Sequence, residues 1–208
     1  MEPITVNKQS SIRIEGSKVV YFDPLEVSPL HDADYIFITH PHFDHFSLLS
    51  ILEIKKENTV IVTTKDIVEE LLSVGFNEEY IVIVKPNETY AFKNLEFKTV
   101  LAYNLHKKNH PKDSGWVGYV LTLDDVVYYV MGDTDNIKEA REVKCDVLFI
   151  PVGGTYTMDC LEAANLCNLI KPKLAIPIHY GYVVGSVKDA EVFKKRLDKG
   201  IACKILLK

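Results

Sequence analysis

Tyr35-Ile36-Phe37-Ile38-Thr39-His40-Pro41-His42-Phe43-Asp44-His45 runs from an unbroken apolar segment straight into three imidazoles and a carboxylate. A short apolar run of this kind reads as a buried strand, so the ligand-type side chains emerge at its C-terminal end. A single His at a strand end is most often a satisfied surface or core residue. Three beside Asp44 are another matter, because protonatable groups crowded into one small volume are costly without a cation to organise them. With 7 His and 14 Asp in 208 residues, chance supplies His-x-His-x-Asp-His in roughly one such chain in two thousand. The segment therefore reads as a metal site. Asp133 and His179, further along, offer ligands that the cluster still lacks.

Composition narrows the class. A chain of 208 residues with 47% apolar and 25% charged residues suits one well-filled domain spanning 1–208. Its net charge, 24 − 29 = −5, gives no basic field for nucleic acid. Lys107, Lys108 and Lys112 form a local basic stretch of the kind that is normally a solvated loop. No apolar run reaches the length of a membrane span, and Met1 to Ser10 lack a signal pattern, so a cytoplasmic location is expected. Cys145, Cys160, Cys167 and Cys203 form no Cys-x-x-Cys and read as buried free thiols. The expected partner is a small molecule, with an anionic one and a homo-oligomer both left open.

The opening of the chain is β-rich, with strands expected at 4–6, 11–15, 19–23 and 35–39. A helix is expected over 46–56 with Leu48, Ile51 and Leu52 inward, then a strand at 59–63 and a helix over 66–74 stopped by Gly75. Strands follow at 80–84, 89–92 and 95–103, with a hairpin of 117–123 and 126–131 turning at Asp124-Asp125. The remainder alternates strand 147–152, helix 160–170, strand 174–178, helix 188–199 and strand 202–207. Asp159 with Glu162 reads as a capping box, and Ser186 with Asp189 opens the last helix. Strands alternating with helices imply helices packed outside β layers. His40, His42, Asp133 and His179 all lie just past strand C-termini, the edge where open α/β folds place their sites.

Three motifs carry a resemblance over almost the whole chain: His40-Pro-His42-Phe-Asp44-His45, Gly132-Asp133-Thr134 and Pro177-Ile-His179-Tyr180-Gly181. In that order they resemble the metallo-β-lactamase superfamily. The resemblance implies a four-layer αββα sandwich, α/β in class, with two facing mixed sheets and helices outside. Ala102-Tyr103-Asn104, His110-Pro111, Gly115-Trp116-Val117-Gly118-Tyr119 and Pro151-Val-Gly-Gly-Thr155 with Thr157-Met158 are similar to a compact branch resembling the ascorbate-6-phosphate lactonase group. The resemblance further implies that His40 and His42 hold a first metal, that Asp44, His45 and His179 hold a second, and that Asp133 bridges. One position departs from the pattern. Asn104 stands where the superfamily usually has a third histidine for the first metal, with His106 and His110 following; an amide oxygen is a poor zinc ligand beside imidazole. His110 is the preferred substitute, His106 the alternative, and a weakly held first metal the third reading.

Imidazole and carboxylate donors suit one or two Zn²⁺, although Mn²⁺ and Fe²⁺ accept the same set. Such ions acidify a bound water and polarise a carbonyl or phosphoryl oxygen. Asp44 then orients the nucleophile and moves a proton, and Tyr180 is taken as a catalytic donor to an oxyanion, with a packed strand-end tyrosine as the alternative. Thr155, Tyr156 and Thr157 could present backbone N–H groups to an anion at a helix N-terminus, or form an ordinary glycine turn before a capped helix. Trp116 reads as a pocket wall or as core. The expected activity is a metal-dependent hydrolase of a small ester, lactone or phosphoester. Alternatives are a phosphodiesterase or nuclease with the same metals, or a non-catalytic module with a degraded first site.

Overall fold

The computed structural model describes residues 3–207, so positions 1, 2 and 208 of the expected single domain lie outside the described residues. One sheet contains β1 (Ile4–Val6), β2 (Ile12–Glu15), β3 (Val19–Phe22), β4 (Ala33–Phe37), β5 (Lys55–Thr63) and β6 (Ile81–Ile83), side by side in chain order. Its first three strands are antiparallel and the pairs from β3 to β6 are parallel. The second sheet contains β7 (Thr89–Phe92), β8 (Leu95–Leu101), β9 (Val117–Leu123), β10 (Val126–Val130), β11 (Val147–Pro151), β12 (Leu174–Ile178) and β13 (Ala202–Cys203), again in chain order. It begins as an antiparallel meander and becomes parallel from β10 onward.

Helices α1 (Leu48–Ile54) and α2 (Val68–Ser73) connect strands of the first sheet; α3 (Lys138–Arg141), α4 (Cys160–Ile170) and α5 (Val187–Lys195) belong to the second. The result is an α/β sandwich with helices outside two mixed sheets, as the motif order implied. Among the described residues no helix is long and apolar enough to cross a membrane.

The unbroken apolar run of β4 is explained by burial on both faces. Tyr35 and Phe37 point between the sheets, whereas Ile36 and Ile38 meet Ile51 and Ile54 of α1 and Leu71 of α2. Between the sheets, Phe37 stacks on Phe22 at 5.0 Å and meets Phe97 and Tyr119 edge-on, each also at 5.0 Å. Burying one such ring contributes roughly 1.5–3 kcal/mol, and each aromatic pair about 0.5–1.5 kcal/mol more. The Tyr119 hydroxyl donates to the Ile38 carbonyl at 2.7 Å, so a polar bond crosses the apolar core and fixes the strand end that feeds the histidine loop. Gly118 permits the close approach of β9 to its neighbour, since a Cβ there would sit 2.5 Å from the Met131 carbonyl oxygen.

Several boundaries differ from the sequence expectation. The helix expected over 46–56 spans only Leu48–Ile54, with the Ser47 hydroxyl accepting from Ser50 N–H at 3.3 Å. Residues before it wind instead around the His42 carbonyl, which accepts from the N–H groups of His45 (2.9 Å) and Phe46 (2.8 Å). The inward face is consequently Ser50, Ile51 and Ile54, and Leu52 is exposed. The final strand is only Ala202–Cys203, and α3 was not anticipated. Both expected N-terminal devices form: Asp159 accepts from Leu161 and Glu162 N–H, while Asp189 accepts from Ser186 N–H. The cysteines are free thiols, with Cys167 buried and the other three half-buried.

Replacing Tyr119 with Phe should lower unfolding free energy by about 1–3 kcal/mol, because the inter-sheet hydrogen bond is lost inside the core. Urea denaturation followed by far-UV circular dichroism measures it; an unchanged midpoint would contradict the structural weight given to this bond.

Candidate metal centre

Both sheets send their loops to one edge. Asp23 follows β3, the His40–His45 loop follows β4, His110 lies beyond β8, Asp133 follows β10 and His179 follows β12. Parallel strands carry their C-terminal ends to a common rim, so residues far apart in sequence meet there. Gly132, at φ +66°, makes the turn that delivers Asp133. His179 has φ +59°, a left-handed conformation that costs a residue with a side chain about 1–3 kcal/mol. A hydrogen bond from its N–H to the Gln9 carbonyl, 2.9 Å, holds it there.

Asp133 is the hub. Its Oδ2 lies 2.9 Å from His179 Nε2, 3.2 Å from His110 Nε2 and 4.0 Å from His40 Nε2, and its Oδ1 is 3.3 Å from His45 Nε2. His40 Nε2 and His42 Nδ1 are 3.1 Å apart. On the other side, Asp44 Oδ2 is 3.5 Å from His179 Nε2 and 3.7 Å from His45 Nε2. Three ligand sets emerge, each with its donor atoms within 4.8 Å of one another: His40, His42 and His110; His40, His45 and Asp133; Asp44, His45 and His179. His110, buried, occupies the place next to Asn104, whereas His106 is exposed and stands apart.

The hydrogen bonds behind the rings set which nitrogen faces inward. Asn104 donates from Nδ2 to Asp135 Oδ1 (3.2 Å) and to the Tyr156 carbonyl (3.0 Å), so its Oδ1 must be the atom facing His110 Nδ1 at 2.9 Å. An amide oxygen only accepts; His110 is therefore protonated on Nδ1 and presents a bare Nε2 to the centre. Asn104, then, is not a ligand but the group that aims one. The Thr39 hydroxyl repeats the logic for His40. It gives its single proton to Asp23 Oδ2 at 2.7 Å and so accepts from His40 Nδ1–H at 2.9 Å. Asp23 also takes the Nδ1 proton of His45 at 2.7 Å, and Gln9 donates to Asp44 Oδ2 at 2.9 Å.

Inward, the same rings lack partners. Nε2 of His45, His110 and His179 and Oδ1 of Asp133 are buried with no hydrogen bond from the described residues. Each orphaned polar atom would cost about 1–3 kcal/mol. Three imidazole nitrogens and a carboxylate oxygen converging this way fit a divalent cation such as zinc. The outer nitrogens of His45 and His110 are tied down as metal-bound histidines require, while His179 Nδ1 has no partner among the described residues.

Electrostatics agree. Burial works against a charged Asp133, but His179 and His45 outweigh it and hold the carboxyl well below its ordinary value. Burial also opposes protonation of His179, yet Asp133 and Asp44 push that ring up to about 9. His40 goes the other way: burial, with His45 beside it, depresses it well below the usual imidazole value.

Trp116 is half-buried and packs on the first ligand set, its ring 4.9 Å from His42, 5.1 Å from His40 and 5.7 Å from His110. One sequence expectation fails here. The Tyr180 hydroxyl is buried and donates to the Leu207 carbonyl at 2.6 Å, so it is committed to the C-terminal segment and offers nothing to an oxyanion. Of the two readings of Thr155–Thr157, the glycine turn is the one seen, with Tyr156 and Thr157 N–H both donating to the Gly154 carbonyl. Sequence reasoning missed Asp23, Gln9 and Thr39. Asp23 carried a readable signal, an acid directly past a strand end; Gln9 carried none.

Known proteins resemble this chain in sequence and fold. The sequence matches the family described as the Beta-lactamase superfamily domain over residues 4–179, and the chain belongs to that family, within the metallo-β-lactamase fold. It is 29% identical over 210 residues to a UPF0173 metal-dependent hydrolase of Nanoarchaeum equitans, covering 96% of this chain and 94% of the relative. A solved structure from Parabacteroides distasonis, described as a metal-dependent hydrolase, superposes with TM-score 0.79 at 28% identity, covering 99% of this chain and 93% of the other. The fold also matches Igni18, a metallo hydrolase of Ignicoccus hospitalis, with TM-score 0.77 at 21% identity, covering 97% of this chain and 93% of that one.

If Asn104 sets the ring of His110, Asn104→Leu should weaken zinc binding about 10- to 100-fold while leaving the fold intact. Chelator competition measures this, and undiminished affinity would remove Asn104 from the role. Because His179, at about 9, must shed its proton to ligate, zinc affinity should climb as pH rises from about 6 to 9. A flat profile in the same competition assay would contradict that coupling.

Proposed function

We propose that the chain is a metal-dependent hydrolase that cleaves a small ester, lactone or phosphoester at a dinuclear centre. His40, His42 and His110 hold one ion, Asp44, His45 and His179 hold the other, and Asp133 is shared. The observation that carries the reading is the convergence of three overlapping ligand sets on one buried carboxylate. Zinc is the ion the donors favour, with Mn²⁺ or Fe²⁺ able to use the same set. Bound there, the metal supplies Lewis acidity toward the substrate's carbonyl or phosphoryl oxygen and a water made acidic enough to react near neutral pH.

The protein's own groups do the rest. Asp44 Oδ2 is occupied by Gln9, which leaves Oδ1 to accept a proton from the attacking water and return it to the departing oxygen. Burial would raise the Asp44 carboxyl, but His179 and His45 lower it, so it stands ionised and ready to accept. Asp23 and Thr39 keep His40 and His45 from rotating, and Asn104 does the same for His110. Trp116 shields the first ligand set from solvent on one side. Two settings are thus fixed before substrate arrives: ligand direction and the ionisation of the base. Such preorganisation is what transition-state stabilisation by fixed groups requires.

Purified protein loaded with zinc should carry about one to two equivalents by elemental analysis and hydrolyse at least one generic ester, lactone or phosphodiester. His42→Ala and Asp133→Ala should each reduce both metal content and turnover, the latter by about a hundredfold or more. Metal-free protein after loading, or full turnover in either variant, would sink the reading.

A further inference from the structure

Resting on the hydrolase reading of this same site, we propose that the part of the substrate remote from the scissile bond is uncharged and apolar, and that Phe43, Tyr156 and Val183 recognise it. The cavity beside the centre measures about 210 Å³ and is lined by His42, Asp44, His110, Asp133 and His179 at its base. Phe43, Tyr156, Val183 and Asn109 complete the lining. Phe43 is 68% exposed, a large apolar ring standing in water directly beside the ligand loop. Tyr156 and Val183 are half-buried and continue that surface around the mouth. The volume falls below the range typical of drug-sized ligands, about 300–1,000 Å³, so a small substrate, or one end of it, is accommodated.

The charges around the cavity argue the same way. No Lys or Arg is among the described residues lining it, and its only fixed charges besides histidine are the carboxylates of Asp44 and Asp133. Two cations on neighbouring segments are already engaged. Lys107 Nζ lies 2.8 Å from Asp135 Oδ1, and Lys8 pairs with Glu26 and covers the Tyr182 ring. Several backbone donors of the adjoining turn and helix start are spent too. The N–H groups of Gly154, Tyr156 and Thr157 bond within their own turn, and those of Leu161 and Glu162 at the start of α4 go to Asp159. An anionic substituent would leave water and meet no cation, only the neutral donors of the Asn109 amide and the Tyr156 hydroxyl, beside two carboxylates, at a penalty of several kcal/mol. An alkyl or acyl substituent meets the Phe43 ring, the Val183 side chain and the aromatic ring of Tyr156 instead.

Alkyl hydroxamates test this without requiring turnover, since the hydroxamate head anchors on zinc and the tail samples the cavity. Binding to the zinc-loaded full chain is measured by calorimetry for acetohydroxamate, hexanohydroxamate and a six-carbon hydroxamate ending in a carboxylate. Hexanohydroxamate should bind about tenfold or more tightly than acetohydroxamate, as expected for burying several methylene groups, and the carboxylate-ended probe should lose that gain. Phe43→Ala should shrink the chain-length difference to about threefold or less. Val183→Lys, which adds the missing cation, should raise affinity for the carboxylate-ended probe about tenfold.

Equal affinity for the two alkyl probes, or a carboxylate-ended probe that binds as tightly as hexanohydroxamate, overturns the proposal. So does a gain that survives Phe43→Ala. The two readings fail separately: chain-length preference without hydrolysis of any ester, lactone or phosphoester removes the hydrolase, whereas hydrolysis without chain-length preference removes only the recognition surface.

Discussion

A carboxylate buried among imidazoles governs this structure. Asp133 has four histidine nitrogens within 4.0 Å, and three of those rings, with one of its own oxygens, find no hydrogen-bond partner on the inward side. Polar atoms left in that condition are unfavourable in any folded protein. Here the opposite faces of two rings are firmly bonded outward, His45 to Asp23 and His110 to Asn104. Bonding on one side and bareness on the other is what a cation-binding histidine needs, and it accounts for why the surrounding loops are held so closely.

The sandwich serves that constraint. Loops from both sheets must reach the same few ångströms, so the sheets have to be locked at that edge. The Phe22, Phe37, Phe97 and Tyr119 rings fill the space between them, and the Tyr119 hydroxyl reaches across to the Ile38 carbonyl, immediately before the ligand loop. Local strain collects at the rim as well: Gln9, Asp23 and His179 all take positive φ while belonging to the site or its support. Those three positions also show how the two halves are tied together, since the Gln9 carbonyl accepts from His179 and the Gln9 side chain donates to Asp44.

Much of the fold was legible because the end of β4 and strands β11 and β12 are buried on both faces and therefore print as continuous apolar runs. Helix limits were less so. The segment 46–56 has helical periodicity throughout, but hydrogen bonds to the His42 carbonyl wind its beginning into the site and pairing with β4 claims its end for β5. At the site, the metal-type residues of 40–45, Asp133 and His179 could be picked out because they sit directly past strand ends. Tyr180 occupies the same sort of position yet turns away, its hydroxyl taken by Leu207, a residue 27 positions later. Nothing local distinguishes those two outcomes.

The sequence by itself determined β layers with helices outside, the edge at which chemistry gathers and the chemical type of the donors there, because periodicity and residue type are local properties; the two facing sheets followed from the family resemblance that the motifs carry. Tertiary structure decided the rest. Whether His106 or His110 joins the centre, what Asn104 is for, and that Asp23, Thr39 and Gln9 stand behind the ligands all depend on side chains from separate strands meeting at hydrogen-bond distance. A hydrogen bond's direction is set by both partners, and one partner's position is not written in the other's neighbourhood along the chain.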